Sequence, residues 1–179
     1  MKKIIAGFFL GITTLSSAQI TIGDTTGTAT VKTSVLLDFP PNQNKGIILP
    51  YVRTLPTTPT EGTLILDATD ATKARVKYYN GAWIDLSGQD ADVTTALSTQ
   101  PTVAQVAEAA GEKTIIGAAS STANGVLVLE STTKSMVLPI VEDVRNIPSP
   151  AAGMMVYVNK AGAKRLAVFN GSKWSYWRP

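Results

Sequence analysis

The sequence predicts a mainly β protein, with two homologous small β-hairpin modules joined by a linker that carries one short α-helix. Three observations predict this. The first is an internal repeat: Leu49-Pro50, Pro59-Thr60-Glu61-Gly62, Leu64-Ile65-Leu66, Tyr79-Asn80-Gly81 and Trp83 return as Leu138-Pro139, Pro150-Ala151-Ala152-Gly153, Met154 to Tyr157, Phe169-Asn170-Gly171 and Trp174. Gly153 and Trp174 follow Gly62 and Trp83 by 91 residues, Asn170 follows Asn80 by 90, and Pro139 follows Pro50 by 89. The second is the Asn-Gly pair in each copy, set between apolar and aromatic residues, which signals a hairpin whose tight turn has positive φ at both centres. The third is texture: β-branched and aromatic runs are short and bounded by Gly, Pro and Asn, whereas helical spacing is clear in one place.

Residues 1–18 have the order of a secretory signal peptide: Lys2-Lys3, an apolar run from Ile4 to Leu10, then small residues ending in Ala18. The apolar run is too short to span a bilayer, which takes about 20 residues. The mature chain is therefore expected to be secreted, extracellular or on an outer cell surface, with no membrane span. Losing Lys2 and Lys3 takes the formal net charge from +3 to +1. The remaining basic residues are scattered, so neither a nucleic-acid stripe nor a polybasic membrane patch is expected.

Residues 19–44 are rich in Thr and Gly, with Val31, Val35, Leu36 and Leu37 as the main apolar positions, and read as short strands closed by Pro40-Pro41-Asn42. Module 1 covers residues 45–87. Gly46 to Pro50 is a short strand, Leu55 to Pro59 an extended connector, Thr63 to Asp67 a buried strand, and Val76 to Leu86 the hairpin. The linker, residues 88–124, has its helix signal at Thr102: Thr102 and Gln105 have capping-box spacing, Val103, Val106, Ala107 and Ala110 recur at helical intervals, and Gly111 is placed to end the helix. Module 2, residues 125–179, repeats the scheme through Met154 to Val158 and the hairpin from Leu166 to Trp177. The chain ends two residues after Trp177, so retention at a surface is expected to come from assembly or binding.

The functional classes narrow by residue type. The sequence has no Cys and no His. That removes Cys-His and Ser-His-Asp nucleophiles, the common zinc sites and disulfide staples. The close carboxylate pairs Asp67 with Asp70, Asp90 with Asp92, and Glu142 with Asp143 have no counterparts in the other module, and each falls in a turn or linker, where a solvated charge is ordinary. Glycoside chemistry would need two positioned acids about 5 to 10 Å apart. Asp90 and Asp92 lack the further ligands of a calcium loop. No catalytic residue, metal ligand or cofactor site is expected, and the chain is read as non-enzymatic.

Structural roles are assigned to Gly62, Tyr79, Asn80, Gly81 and Trp83 and to Gly153, Phe169, Asn170, Gly171 and Trp174. The glycines supply turn geometry, and the rings pack over the hairpins. Tyr176 and Trp177 have no counterpart in module 1. With Tyr157 they are the candidate contacts for a glycan, because aromatic rings combine apolar faces with polar edges. Each module is small enough to bury a poor fraction of its surface, which favours packing against a partner.

The motif of Leu-Pro, then Pro-x-x-Gly before an apolar strand, then aromatic-Asn-Gly followed by Trp resembles a module of phage tail-fibre-like proteins and of secreted bacterial surface or adhesin proteins. The residues carrying the resemblance are Leu49-Pro50, Pro59 to Leu66 and Tyr79 to Trp83, with Leu138-Pro139, Pro150 to Tyr157 and Phe169 to Trp174. It implies a structural or adhesive surface protein that forms homo-oligomers, often trimers, or docks on a larger surface complex. The alternative is a small carbohydrate-binding module that uses the C-terminal aromatics.

Overall fold

The computed structural model describes residues 19–23, 26–102, 104–106 and 112–177. The expected signal peptide, residues 1–18, lies outside the described residues. In chain order the elements are β1 (Ile20–Thr21), β2 (Val35–Asp38), β3 (Ile47–Ile48), β4 (Tyr51–Val52), β5 (Leu64–Asp67), β6 (Arg75–Tyr79) and β7 (Trp83–Asp85). Then come α1 (Thr94–Ser98), β8 (Thr114–Ile116), β9 (Leu127–Leu129), β10 (Ser135–Met136), β11 (Ile140–Val141), a 3-10 turn (Val144–Asn146), β12 (Met154–Val158), β13 (Arg165–Phe169) and β14 (Trp174–Trp177). The chain is mainly β, with one short α-helix among the described residues.

Two sheets share one topology. β4-β5-β6-β7 and β11-β12-β13-β14 are each parallel across the first pair and antiparallel across the next two. The Leu-Pro motif accounts for the first pair. A proline has no N–H to give to a ladder and so holds an edge. Pro50 and Pro139 each use the carbonyl, which accepts the N–H of Leu66 and of Tyr157 at 2.9 Å in both sheets. Two residues on, the Val52 and Val141 carbonyls accept from Ala68 and Asn159 at 2.9 and 2.8 Å. Pro-x-x-Gly accounts for the entry to the central strand. The Thr63 N–H reaches the Thr60 carbonyl and the Met154 N–H the Ala151 carbonyl, both at 3.1 Å, across turns whose third residues are Gly62 (φ 86°) and Gly153 (φ 75°). A positive φ at that position selects glycine.

The hairpins differ from the expected tight turn. Gly81 and Gly171 have φ of 70° and 112°, but the non-glycine residues at positive φ are Asn42, Asn44 and Ser149, so Asn80 and Asn170 are not among them. The reason is loop length. Tyr79 faces Trp83 across three residues and Phe169 faces Trp174 across four, and neither loop is the two-residue form that needs both centres positive.

The helix also differs. It lies in the linker but at Thr94–Ser98, upstream of the expected start. Asp92 accepts the Thr94 N–H at 2.9 Å, Leu97 is buried, and Arg53 bonds the Leu97 carbonyl at 2.6 Å and Gln100 at 3.1 Å. At Thr102 half of the capping box is present, since Gln105 Oε1 accepts the Thr102 N–H at 2.9 Å. The described residues Ala104 to Val106 form only a turn, and Val103 and residues 107–111 lie outside the description.

Among the described residues three apolar clusters hold the fold. The largest joins both modules: Leu49, Leu66, Ala74 and Val76 from module 1 and Val93 from the linker pack with Ala152, Met155 and Val168 from module 2. A second lies on the other face of module 2, where Val141, Val144 and Ile147 cover Met154, Val156, Ala167 and Phe169. The corresponding face of module 1 is charged, with Lys77 on Asp67 at 2.7 Å and Arg75 on Asp85 at 2.5 Å. The third gathers Leu36, Leu37 and Ile116 beside Phe39, Leu129 and Met136. It belongs to the parallel sheet β1-β2-β10 and to the separate parallel pair β8-β9.

Candidate assembly surface

One strand crosses between the modules. β3 does not join its own sheet but runs antiparallel along the first half of β12, with Ile48 opposite Met154 and Ile47 opposite Met155. β11 covers the second half of the same edge. Gly46 is what allows the approach: a Cβ there would overlap Met154 Cγ and lie 2.8 Å from Val156 Cγ1 and 2.9 Å from the Met155 carbonyl. The sequence signal was that glycine directly before an apolar strand, a mark of close backbone contact.

The remainder of the junction is polar and directional. Trp177 donates its indole N–H to the Leu86 carbonyl at 2.8 Å, Asn170 donates to the Gln89 carbonyl at 2.7 Å, and the Ser175 hydroxyl donates to the Ser87 carbonyl. Asn170 also accepts the N–H groups of Ser172 and Lys173 at 3.0 and 2.9 Å and is fully buried. Asn80, at the same place in module 1, is exposed. The glycines repeat this asymmetry. A Cβ at Gly153 would lie 3.3 Å from Leu66 Cβ and 3.4 Å from the Leu49 carbonyl, and one at Gly171 would lie 3.0 Å from Val93 Cγ1. Gly62 and Gly81 face open space.

The aromatic residues pair within each hairpin. Tyr79 meets Trp83 edge-on with centroids 5.3 Å apart, and Phe169 meets Trp174 tilted at 5.1 Å. Tyr176 and Trp177 are adjacent on β14 and therefore project to opposite faces. Tyr176 lies under Arg165, 4.6 Å from the guanidinium carbon, whereas Trp177 stands in a cross-strand row with Leu166 and Tyr157. The structure brings Tyr157 and Trp177 to one face and leaves Tyr176 on the other.

The acids serve structure. Burial pushes Asp67 up, but hydrogen bonds from Lys77 and from the Thr69 N–H and hydroxyl outweigh it and hold the carboxyl below its usual range. Asp85 behaves the same way, with Arg75 and Ser87 outweighing burial. Asp90 pairs with Arg75 at 2.7 Å. Hydrogen bonds to Thr72 lower Asp70, those to Thr94 lower Asp92, and those from Arg145 and then Lys160 lower Asp143. A general acid at neutral pH needs the opposite shift. Among the described residues no three His, Cys, Asp or Glu side chains gather as metal ligands, and no helix is long and apolar enough to cross a membrane.

Two sheets of one topology, joined through a shared core and a crossed strand, define a mainly β protein whose buried polar side chains bond its own backbone and one another. Residues 115–178, which run from within β8 through β14, match the family model of a phage tail like trimerisation region. The match covers little more than a third of the chain and supports a structural, oligomer-forming, fibre-like character. No curated protein and no solved structure matches the chain.

Proposed function

We propose that this protein is a secreted, non-enzymatic structural protein that assembles as a homotrimer and serves as a fibre-like or adhesive module of a surface complex, its two modules being copies of one ancestral unit. The observation that carries this reading is the match of residues 115–178 to a trimerisation region. Val126 and Leu127, adjacent in the chain and inside the matched region, are 64% and 47% exposed, so apolar surface is open to a partner there. Secretion and the outer-surface location rest on residues 1–18. Light scattering of the mature chain across a dilution series tests the assembly, with a concentration-independent mass of three chains expected and a persistent monomer overturning it. Amino-terminal sequencing of exported protein tests the leader, with Gln19 expected first.

A second reading, a glycan-binding surface, is favoured by the row of Tyr157, Leu166 and Trp177, in which Trp177 is 47% exposed. A glycan array run with the mature protein and with Trp177→Ala tests it. Binding that disappears in the variant supports this reading, and an array without binding removes it.

A further inference from the structure

We propose that the open edge of β5 at Gly62 and Leu64 is the seat of the Ser135–Leu138 segment from a second copy of this chain. The inference rests on the trimer reading above and specifies the contact that makes it. In module 2 the equivalent edge is filled: Leu49 N–H bonds the Gly153 carbonyl at 3.1 Å, and Ile47 and Ile48 pair with Met155 and Met154. In module 1 no described strand fills the edge. β4 covers only Leu66 and Asp67, and Leu64, a half-buried residue, has β6 on its other side. The Tyr79 N–H bonds the Thr63 carbonyl, so the alternation of an antiparallel ladder turns the N–H and C=O of Leu64 to the open edge. Among the described residues neither has a partner.

The repeat names the occupant. Leu138-Pro139 stands where Leu49-Pro50 stands, so the residues equivalent to Ile47 and Ile48 are Met136 and Val137. These lie at the end of a sheet, in the order β1-β2-β10. The bonds to β2 come from the Ser135 and Val137 N–H groups, which leaves Met136 N–H and C=O on the outer edge. One donor edge and one acceptor edge are thus unused among the described residues, and they have the same chemistry as the pair already joined within the chain. Joining them between copies places Met136 opposite Leu64 and Val137 opposite Thr63, and extends β1-β2-β10 of one copy into β5-β6-β7 of the next. Such a contact is head-to-tail, and head-to-tail contacts close into a ring when the rotation between neighbours permits. Three copies give a ring in which within-chain and between-chain junctions alternate. The donor segment lies inside the stretch matched to the trimerisation region.

The test uses the absence of native cysteine. Val137 and Thr63 form the non-hydrogen-bonded pair in this register, whose Cα separation of about 4.5 Å suits a disulfide. A full-length mature chain carrying Thr63→Cys and Val137→Cys, treated with a mild oxidant, is expected to run as covalent dimers and trimers on a non-reducing denaturing gel, while either single variant stays monomeric there. A trimer mass by light scattering without interchain disulfides, or with a disulfide inside one chain, overturns the inference and leaves the trimer reading standing. A monomeric wild-type chain overturns both. Met136→Pro is the second variant. It removes the N–H facing outward and keeps both bonds to β2, so it is expected to convert the trimer to a folded monomer with an unchanged circular dichroism spectrum. A full trimer in that variant also overturns the inference.

Discussion

Leu49 gives its backbone N–H to the carbonyl of Gly153 at 3.1 Å, so the first Leu-Pro motif closes the turn of the second module and not its own. The strand before it can lie there only because Gly46 has no side chain. Gly46→Ala puts a methyl against Met154 and Val156. Overpacking of this kind costs about 1–3 kcal/mol. Gly125→Ala meets only ordinary contacts at 3.6 and 3.7 Å and is expected to stay within about 0.5 kcal/mol of wild type. Chemical denaturation of both variants checks the contrast, and equal losses would remove β3 from the β12 edge.

A second contrast separates the modules at one pair of equivalent residues. Asn170 is buried and makes three side-chain hydrogen bonds, two of them to backbone N–H groups of its own loop and one to Gln89. Asn170→Ala strands those partners, and each stranded group costs about 1–3 kcal/mol. The expected loss is about 2–4 kcal/mol, against less than about 0.5 kcal/mol for Asn80→Ala at the exposed loop. Thermal melts of the two variants read the difference. A loss at Asn80 as large as that at Asn170 would mean that module 1's corner is also covered.

These asymmetries mark the limit of what the sequence tells. The hairpins are legible because Asn-Gly, the aromatic pair and the alternating apolar residues are local signals that act over a dozen residues. The Leu-Pro and Pro-x-x-Gly motifs are legible for the same reason, since Pro50 has no N–H for a central ladder and Gly62 takes at no steric cost the positive φ that its turn needs. Strand partners are another matter. Ile47 finds Met155, and Val35 finds Ser135, across about a hundred residues, and nothing in either strand names the other. The helix signal after Thr102 falls largely outside the described residues, and the described helix at Thr94–Ser98 rests on tertiary partners that no local pattern announces, a core position for Leu97 and Arg53 on its carbonyl. Tyr176 and Trp177 could have been separated from the sequence alone, because adjacent residues on a strand face opposite ways.

Acid should loosen the fold from the N-terminal sheet inward. Asp38 has a side chain 2% exposed. Burial pushes its carboxyl up, but Lys32 at 2.8 Å and the Ala29 and Phe39 N–H groups at 3.1 and 2.9 Å outweigh burial and hold it below the ordinary value of 3.8. A lowered native pKa means that the unfolded chain takes up the proton more readily. The stabilisation is therefore complete above the unfolded value and is lost as pH falls from there through the native value. Asp67 and Asp85 add in the same direction. The melting temperature is expected to be level from about pH 5 to 8 and to drop below about pH 4. Asp38→Asn is expected to cost about 1–3 kcal/mol at pH 7 and to narrow the difference between pH 7 and pH 3. An unchanged pH dependence in that variant would assign the acid sensitivity to the other carboxylates.

Trp177 tests whether the C-terminal strand is a junction or a platform. Its indole N–H reaches the Leu86 carbonyl across the module boundary, and its ring lies in the row with Leu166 and Tyr157. Trp177→Phe keeps an aromatic face and deletes the donor, so the junction reading expects a loss of about 0.5–1.5 kcal/mol. Tyr176→Ala, on the opposite face, removes an exposed ring whose contact with Arg165 is worth about 0.5–1 kcal/mol. The two losses should add, because the residues share no partner. The double variant measured by denaturation beside the singles checks this. A coupling well beyond about 0.5 kcal/mol would mean that the two rings act as one surface after all, which is the arrangement a stacking ligand would need.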